Sequence, residues 1–395
     1  MIQRLGHLVE QVTAAPDDEP MPFVALENLE SRTGELLPDM ELPLMVPDPT
    51  GTTSFREGDV LFGKLRPYLA KSWRADRRGS CSTELIVMRP RRSVDDRWLA
   101  YLAQSDLLVE WAIATSEGVK MPRTSWEKLR LLRIDPPTKA EQHAIADYLD
   151  DETARIDKVV HVRREVARLH AEHARTAMAE ALAGEPRARL ATVLSSIEQG
   201  WSPSAADATR QDDDAWAVLK LSAVTGGTYS PQFHKVLDEP PGANKKYEVR
   251  KGDLLLTRAN TPELVGDVAF VRETPQHLLL PDLVYRLSFL RDRTDGSYLS
   301  YALRAVEVRG QLSAVARGSS QSMVKLRSED IRDLRVPLPS LRRQRELAAE
   351  CDRIAGRSAD TQRAMLAQID LLLERRQALI TAAVTGQLEI PGVAA

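Results

Sequence analysis

The chain has 395 residues and a net charge of −3, with 43% hydrophobic and 28% charged residues. These values are typical of a globular protein of two or three domains, and the net charge excludes no partner, because the local placement of cations decides affinity for polyanions. No apolar run reaches the roughly 18–20 residues needed to cross a bilayer, and the N-terminus lacks signal-peptide features. Cys81 and Cys351 lack metal-ligand spacing. We therefore expect a cytoplasmic protein with reduced cysteines.

Short apolar segments and glycine turns alternate in the first part of the chain. The segment FVALENLESRTG, from Phe23, starts apolar and runs into a turn. In REGDVLFGKLRPYL, from Arg56, a charged Gly-Asp turn precedes a short strand that ends in basic and polar residues. The stretch WLAYLAQSDLLVEWAI, from Trp98, is typical of helix, and SWEKLRLLRIDPPTKAEQ, from Ser125, ends in a proline break. The first part therefore predicts a mixed α/β domain.

The second part of the chain repeats this order. WAVLKLSAVTGG, from Trp216, and RKGDLLLTRANTPEL, from Arg250, correspond to the first two segments. RSEDIRDLRVPLPSLRRQ, from Arg327, aligns without gaps on the stretch from Ser125, and this alignment places Gln344 on Gln142. Because a repeat of this length predicts a duplicated structural unit, we expect one fold to occur twice.

A long helical stretch follows each proline break. Residues 140–183 and 342–385 contain almost no Gly or Pro, and their apolar residues recur at helical spacing: Ile145, Leu149, Ile156, Val159, Val166 and Leu169, then Leu347, Ile354, Met365, Ile369, Leu372 and Leu379. About forty residues make a helix of roughly 60 Å. A helix this long needs a partner for its apolar stripe, whereas ordinary core helices are shorter. Each stretch is the natural partner of the other.

The predicted fold class is α+β, with two pseudo-symmetric mixed α/β domains separated by two long helices packed as an antiparallel coiled coil. The expected boundaries are 1–139 for the first domain, 140–184 for the central helical region, 185–341 for the second domain and 342–395 for the C-terminal helical region.

Several catalytic motifs are absent from the sequence. The only Gly-Lys pair, Gly63-Lys64, is followed by Leu65 rather than Ser or Thr, so there is no P-loop. No lysine follows an acidic residue at the spacing typical of restriction nucleases. Asp135-Pro136-Pro137 partly resembles an adenine methyltransferase loop, but Thr138 cannot stack on a flipped base. His170 and His173 have no evident companion ligand. We expect no catalytic residue, no metal site and no cofactor.

Basic and polar residues follow the predicted strands at matched positions in both parts. Arg and Lys neutralise phosphates, and Arg, Asn and Gln make the common bidentate contacts to bases. A solvated surface would explain any one of these residues, but their recurrence favours a DNA contact. The predicted DNA-binding residues are Lys64, Arg66, Tyr68, Lys71, Lys120, Arg123, Ser202, Arg258, Asn260, Gln321 and Lys325.

Three segments carry a resemblance to a known family. GDVLFGKLRPYL with GSCSTELIVMRP, from Gly79, resembles the first target-recognition domain of type I restriction-modification specificity subunits. PPTKAEQHAIADYLDDETARID, from Pro136, resembles their central helical region, and LLLERRQALITAAVTGQLEI, from Leu371, resembles their C-terminal helix. Two positions depart from the family pattern: Asp135-Pro136 replaces Pro-Leu, and Arg343 replaces Glu before Gln344. The stretch before Phe23 is also shorter than its counterpart near Arg189.

The resemblance implies a non-catalytic subunit whose two target-recognition domains each read one half of a bipartite DNA site. It also implies helices that dock two methyltransferase subunits, with motor-nuclease subunits joining for restriction, and no membrane partner. One alternative is a coiled-coil adaptor whose two domains bind proteins. A second is a fused methyltransferase-specificity protein, which would need a methyl-donor fold.

Overall fold

The computed structural model describes most of the chain. The described residues are 1–17, 19–37, 41–48, 51–208, 210, 212, 214–320, 323–390 and 393, with the main chain alone for 319 and 320. The predicted contact Gln321 lies outside the described residues. No helix among the described residues is both long and apolar enough to cross a membrane.

The chain divides into two compact units. Unit 1 comprises Met1–Val166 and Ala364–Ala395, and unit 2 comprises Ala167–Arg363. Two 44-residue helices, Lys139–Leu182 and Leu341–Val384, are called here the first and second long helices. Each unit therefore contains one part of each long helix, together with a mixed domain of short strands and helices. The predicted combination of α/β domains and two long helices is confirmed.

Unit 1 contains two four-stranded sheets. The strands of the first sheet are, in spatial order, Val9–Val12, Leu85–Pro90, Val60–Gly63 and Ser72–Arg74. Those of the second sheet are Leu44–Met45, Met21–Val24, Gly79–Ser82 and Thr52–Phe55. All pairings are antiparallel except that of Met21–Val24 with Gly79–Ser82. A two-strand pair joins Gln3–Arg4 to Arg133–Ile134. The other helices are Leu5–Leu8, Asp96–Gln104, Asp106–Ala114 and Trp126–Leu129, with 3-10 turns at Leu26–Asn28 and Pro67–Leu69.

Unit 2 repeats this arrangement of sheets. The strands of its first sheet are, in spatial order, Leu194–Gln199, Val284–Phe289, Leu254–Thr257 and Val268–Phe270. Those of its second sheet are Ala205–Ala206, His234–Leu237, Ala217–Leu219 and Leu278–Leu279. The last two of these strands are parallel, as are their equivalents in unit 1. Smaller pairings join Arg187–Arg189 to Arg335–Pro337, Val224–Thr225 to Thr228–Tyr229, and Met323–Lys325 to both Ala259–Asn260 and Arg317–Ser320. Helices are Gly296–Arg304, Val306–Val315 and Ser328–Asp333, with 3-10 turns at Leu190–Thr192, Leu221–Ala223 and Gly242–Tyr247.

We call Val60–Gly63 and Leu254–Thr257, which follow the Gly-Asp turns, the central strands of units 1 and 2. Each central strand is buried on both faces. Val60 and Phe62 point into one hydrophobic core while Leu61 points into another. In unit 2, Leu254 and Leu256 share one core and Leu255 lies in the other. Alternate side chains of a strand point to opposite faces, so a strand that reads as a continuous apolar run must be covered on both sides.

The Gly-Asp turn predicted before each central strand is fixed by its aspartate. The Asp59 carboxylate accepts the main-chain N–H of Arg56 at 2.9 Å and binds the Arg89 guanidinium through two hydrogen bonds of 2.7 and 2.8 Å. Asp253 likewise accepts the N–H of Arg250 at 2.9 Å and forms an ion pair with an arginine of the adjacent strand. The turn therefore has a defined geometry where the strand begins.

A buried glutamine joins each long helix to its domain. The Gln142 side chain, 1% exposed, accepts the N–H of Asp95 at 2.8 Å and donates to the carbonyls of Ser93 and Pro137. Asp95 in turn caps the helix Asp96–Gln104. One amide side chain therefore links the domain helix, the proline break and the start of the long helix.

Unit 2 contains the same junction. The Gln344 side chain, also 1% exposed, accepts the N–H of Asp295 at 3.0 Å and donates to the carbonyls of Arg293 and Pro339. It also accepts the hydroxyl of Thr294 at 2.9 Å. The alignment of the two glutamines in sequence is thus an alignment of two equivalent buried contacts.

A tyrosine–aspartate hydrogen bond lies farther along each long helix. Tyr101 donates its hydroxyl to Asp150 at 2.7 Å, and Tyr301 donates its hydroxyl to Asp352 at 2.6 Å. Because both aspartates lie on long helices and both tyrosines on domain helices, each domain is fixed to its helix at two points.

The long helices pack antiparallel within unit 1. Arg376 forms an ion pair with Asp157 at 3.0 Å, and Arg163 donates to Gln368, so the residue numbers run in opposite directions along the contact. A small core that includes Ile156 fills the interface. Two residues of the predicted apolar stripe are exposed instead: Val159 of unit 1 by 42% and Leu169 of unit 2 by 48%.

The two units carry different residues at one equivalent position of the long helices. In unit 1 the second long helix supplies the buried Arg376, whose guanidinium donates to the carbonyls of Arg32 and Thr33. Arg376 lies 32 residues beyond Gln344. The residue 32 positions beyond the equivalent Gln142 is Ala174. Ala174 lines a cavity of about 1310 Å³ in unit 2. A long charged side chain that fills space in one unit is therefore replaced by a methyl group in the other.

The buried glutamine predicts a stability effect. Gln344→Ala should lower the free energy of unfolding by about 1–3 kcal/mol, because the N–H of Asp295 and two carbonyls lose their buried partner. Gln387→Ala, at an exposed position after the second long helix, should change it by less than about 0.5 kcal/mol. Thermal and urea unfolding of the full chain measure both. Equal shifts for the two variants would contradict this role.

Candidate nucleic-acid interface

Both cysteines of the chain are free and buried. Burial raises the pKa of the Cys81 thiol to about 12 and that of Cys351 to about 11, so both remain protonated thiols near neutral pH. Within the described ranges, no group of three or more His, Cys, Asp or Glu residues is placed to hold a metal ion. Cations lie at the ends of the strands Val60–Gly63 and Leu254–Thr257.

Two segments of unit 1 meet where the central strand Val60–Gly63 ends. Arg66 donates its main-chain N–H to the carbonyl of Pro122 at 2.8 Å, and Thr124 donates its N–H to the carbonyl of Lys64 at 2.9 Å. Leu65 pairs with Arg123 in an antiparallel bridge. These contacts bring together three predicted cations, Lys64, Arg66 and Arg123, which we call the strand-exit cluster of unit 1.

The three cations of this cluster differ in exposure and in how their side chains are held by neighbouring groups. The Lys64 ammonium donates to the carbonyl of Thr83 at 2.6 Å, and burial, followed by the charge of Arg123, lowers its pKa. Arg123 forms an ion pair with Glu84. Arg66 is exposed and takes a left-handed conformation with φ of 50°. Arg66 is therefore the member best placed to meet an approaching anion.

The other predicted contacts of unit 1 lie around this cluster. Lys120 is exposed in the loop that precedes Arg123. Tyr68 is 42% exposed, and its carbonyl accepts a hydrogen bond from Arg32. The Lys71 ammonium donates to the carbonyl of Leu26 at 3.0 Å, and burial lowers its pKa. Lys71 is therefore held by the main chain rather than offered to solvent.

Unit 2 contains an equivalent arrangement. Ala259 pairs with Lys325 just as Leu65 pairs with Arg123, and Asn260 pairs with Val324 in the same short sheet. Arg258 and Lys325 therefore occupy the positions of Lys64 and Arg123. We call Arg258, Asn260 and Lys325 the strand-exit cluster of unit 2.

The members of this second cluster are also held differently. Lys325 is exposed, whereas Arg258 is partly buried and donates its Nε to the Tyr285 hydroxyl at 3.1 Å. The Asn260 carboxamide oxygen accepts the N–H of Thr261 at 2.9 Å. The cluster thus combines one exposed ammonium, that of Lys325, with two side chains, those of Arg258 and Asn260, that are held by hydrogen bonds.

The structure places Ser202 in a separate loop. It is exposed and follows Trp201, which bridges to Pro281 and donates its N–H to the carbonyl of Leu280 at 3.0 Å. None of these contacts joins Ser202 to the strand-exit cluster of unit 2.

Two exposed lysines in unit 2 were missed by the sequence reasoning. Lys245 lies 5.5 Å from the ring centroid of Trp216, and Lys246 lies 4.9 Å from that of Tyr247. Both are on the 3-10 turn Gly242–Tyr247. The sequence signal was the run Lys-Lys-Tyr, because interleaved cations and aromatic rings are typical of nucleic-acid surfaces.

The chain was compared with known proteins. No family model matches it. It is 27% identical over 193 residues to the type I restriction enzyme EcoEI specificity subunit of Escherichia coli, covering 47% of this chain and 32% of that protein. It is 21% identical over 286 residues to the EcoKI specificity subunit of Escherichia coli K12, covering 68% of this chain and 60% of that protein. The chain thus spans less than two thirds of the length of either relative.

The fold also matches a solved structure. A chain from a structural study of the assembly and conformational transition of the type I restriction-modification system superposes with a TM-score of 0.70 at 21% identity, covering 98% of both chains. At this identity the likeness establishes the fold. The chain is therefore related in sequence to the specificity subunits of type I restriction enzymes and shares its fold with a chain of a type I restriction-modification system.

Proposed function

We propose that this chain is the DNA-recognition subunit of a type I restriction-modification complex, and that each unit binds one half of a bipartite site in double-stranded DNA. The observation that carries the proposal is the shared register of the two strand-exit clusters, with Leu65 opposite Arg123 and Ala259 opposite Lys325. Two equivalent scaffolds that present different cations are suited to reading two different half-sites. The names of the related proteins support the same role.

The clusters supply the chemistry that DNA binding requires. Exposed Arg66 and Lys325 can neutralise phosphates, which provides affinity and fixes register on the duplex. Oriented Arg and Asn side chains suit hydrogen bonding to base edges in the major groove. The net charge of −3 is compatible with this role because the local placement of cations within each unit, not their sum over the chain, decides affinity for DNA.

The long helices offer a surface for protein partners. Within unit 1 they expose four large apolar side chains, Val159, Val162, Leu366 and Leu371, each by 42% or more. Contiguous exposed apolar patches mark protein-interaction sites, and Val159 and Val162, three residues apart, share one face of the first long helix. We propose that two methyltransferase subunits dock on the long helices and that motor-nuclease subunits join this assembly.

In this role the chain itself catalyses no step. Methylation and cleavage belong to the partner subunits, and the complex acts in the cytoplasm, where the chromosome and incoming DNA are accessible. A protein-binding adaptor would share the exposed apolar helix surface but would not need the strand-exit cations.

DNA binding should depend on Arg66. Arg66→Ala retains a Cβ atom, so it adds no new strain at φ of 50°, and it removes one exposed cation. If Arg66 contacts a phosphate, the slope of log affinity against log salt should fall by about one unit for every duplex. Fluorescence anisotropy across a salt series measures this slope for the chain bound to its methyltransferase subunit.

Arg77→Ala is the matched control, because Arg77 is exposed in the same unit but is already paired with Asp76. It should leave the salt slope unchanged. An Arg66→Ala variant that binds DNA like the parent would remove this residue from the interface. A parent chain that binds methyltransferase subunits but no DNA would favour the adaptor.

Partner docking should depend on Leu371. Leu371→Asp places a charge on a side chain that is 64% exposed, so it should spare the fold but weaken methyltransferase binding at least tenfold, because burying an unpaired carboxylate is costly. Leu44→Asp is the control, since Leu44 is 72% exposed on the domain of the same unit. Native mass spectrometry should detect two methyltransferase subunits per parent chain. Identical assembly of both variants would exclude the long-helix surface around Leu371.

A further inference from the structure

One side chain of the strand-exit cluster of unit 2 is held in a fixed orientation. Arg258 donates its Nε to the Tyr285 hydroxyl at 3.1 Å, and its guanidinium carbon lies 5.9 Å from the centroid of the Tyr285 ring. Tyr285 is itself 7% exposed, and its hydroxyl lies 3.4 Å from the carbonyl of Leu326. A buried ring and a buried hydroxyl thus limit the rotation of the guanidinium.

The main chain around Arg258 is fixed as well. Its N–H donates to the carbonyl of Leu283 at 2.8 Å, and its carbonyl accepts the N–H of Leu326 at 2.9 Å. Both ends of the side chain are therefore anchored, at Cα by the sheet and at Nε by Tyr285. Preorganisation of this kind reduces the entropy lost when a ligand binds.

The outer edge of this guanidinium remains available. Among the residues that the structure describes, no carboxylate pairs with Arg258, and its two terminal nitrogens donate to no acceptor. Partly buried arginines normally have an anionic or hydrogen-bonding partner. Neighbouring arginines follow that rule: Arg286 pairs with Asp253, and Arg309 pairs with Asp267. Within the described part of the chain, Arg258 is thus held without a counterion of its own.

The equivalent position of unit 1 has different chemistry. Lys64 replaces Arg258, and Ile86 occupies the place of Tyr285, since Ile86 lies opposite Phe62 as Tyr285 lies opposite Leu256. The Lys64 ammonium binds the carbonyl of Thr83 instead. Of these two equivalent positions, only that of unit 2 therefore holds a planar guanidinium with a hydroxyl partner.

We propose that Arg258 reads a guanine in the half-site bound by unit 2, and that Tyr285 is its positioning residue. This inference rests on the proposed function. With Nε held by Tyr285, the two terminal nitrogens form a parallel pair that matches the O6 and N7 acceptors of guanine in the major groove. Lys325, exposed on the adjacent strand, supplies the phosphate contact that fixes register.

The test first determines the site of the parent protein. Methylation mapping of cells that express the chain with its methyltransferase subunit gives the bipartite motif. If no motif is methylated although the complex assembles, the proposed function fails, independently of Arg258. Binding is then measured on duplexes in which each guanine of the motif is replaced singly by 7-deazaguanine, which lacks the N7 acceptor.

The parent complex should lose affinity about fivefold or more at one guanine. Arg258→Ala should lower affinity for the unmodified duplex about 5- to 150-fold and abolish the additional loss at that guanine alone. Arg258→Lys should fail to restore full discrimination, because an ammonium lacks the planar fork. Arg291→Ala, an exposed arginine of the same unit, should leave every value unchanged.

Tyr285→Phe separates positioning from folding. It keeps the buried ring but removes the hydroxyl that holds Nε, so discrimination at the same guanine should fall severalfold while the salt slope stays as in the parent and the variant still assembles with its methyltransferase subunit.

Two results would overturn the inference. One is that every 7-deazaguanine duplex affects the parent and Arg258→Ala equally. The other is that Arg258→Ala weakens all duplexes alike and lowers the salt slope by about one, which would make Arg258 a phosphate contact. Unchanged discrimination in Tyr285→Phe would refute the positioning role of Tyr285.

Discussion

The buried amide side chains of Gln142 and Gln344 are the contacts on which the rest of the structure depends. Each accepts a main-chain N–H at the start of a domain helix and donates to a carbonyl at the proline break before a long helix. An amide both donates and accepts, so neither a carboxylate nor an apolar residue could satisfy all these groups. Because an unpaired buried polar group is costly, the junction holds each domain in one orientation on its helix segment.

On these junctions the chain builds the same scaffold twice and varies what the scaffold displays. Buried positions are equivalent: the apolar strands Val60–Gly63 and Leu254–Thr257 both follow a Gly-Asp turn whose aspartate binds an arginine. The strand exits differ, with Lys64 in one unit and Arg258 in the other. Stability therefore depends on residues that the repeat preserves, whereas in the proposed function binding specificity depends on residues that it changes. A duplicated reader can in this way acquire two specificities without altering its core.

The sequence predicted what local patterns determine. Helical spacing and proline breaks gave both long helices, and the repeat alignment paired the two glutamines and the two strand exits. Contacts between distant segments could not be predicted this way. Arg376 reaches Thr33 in unit 1, yet its repeat counterpart is Ala174, so no repeated signal marked it. Tyr285 was missed because register, not sequence distance, places it beside Arg258. Which side of a long helix stays exposed was likewise a matter of tertiary packing.

We propose that each unit reads its own half-site through its strand-exit cluster. The most direct measurement is the methylated motif of a double variant, Arg258→Lys with Asn260→Arg, which gives unit 2 the residues found at the equivalent positions of unit 1. Sequencing of methylated bases in cells that express the variant with its methyltransferase subunit yields both half-sites at once. If the strand-exit cluster of unit 2 reads one half-site, we expect a changed or relaxed sequence in that half-site. The other half-site and the gap between the two should be retained. Alteration of both half-sites, or an unchanged motif in an active variant, would contradict this proposal.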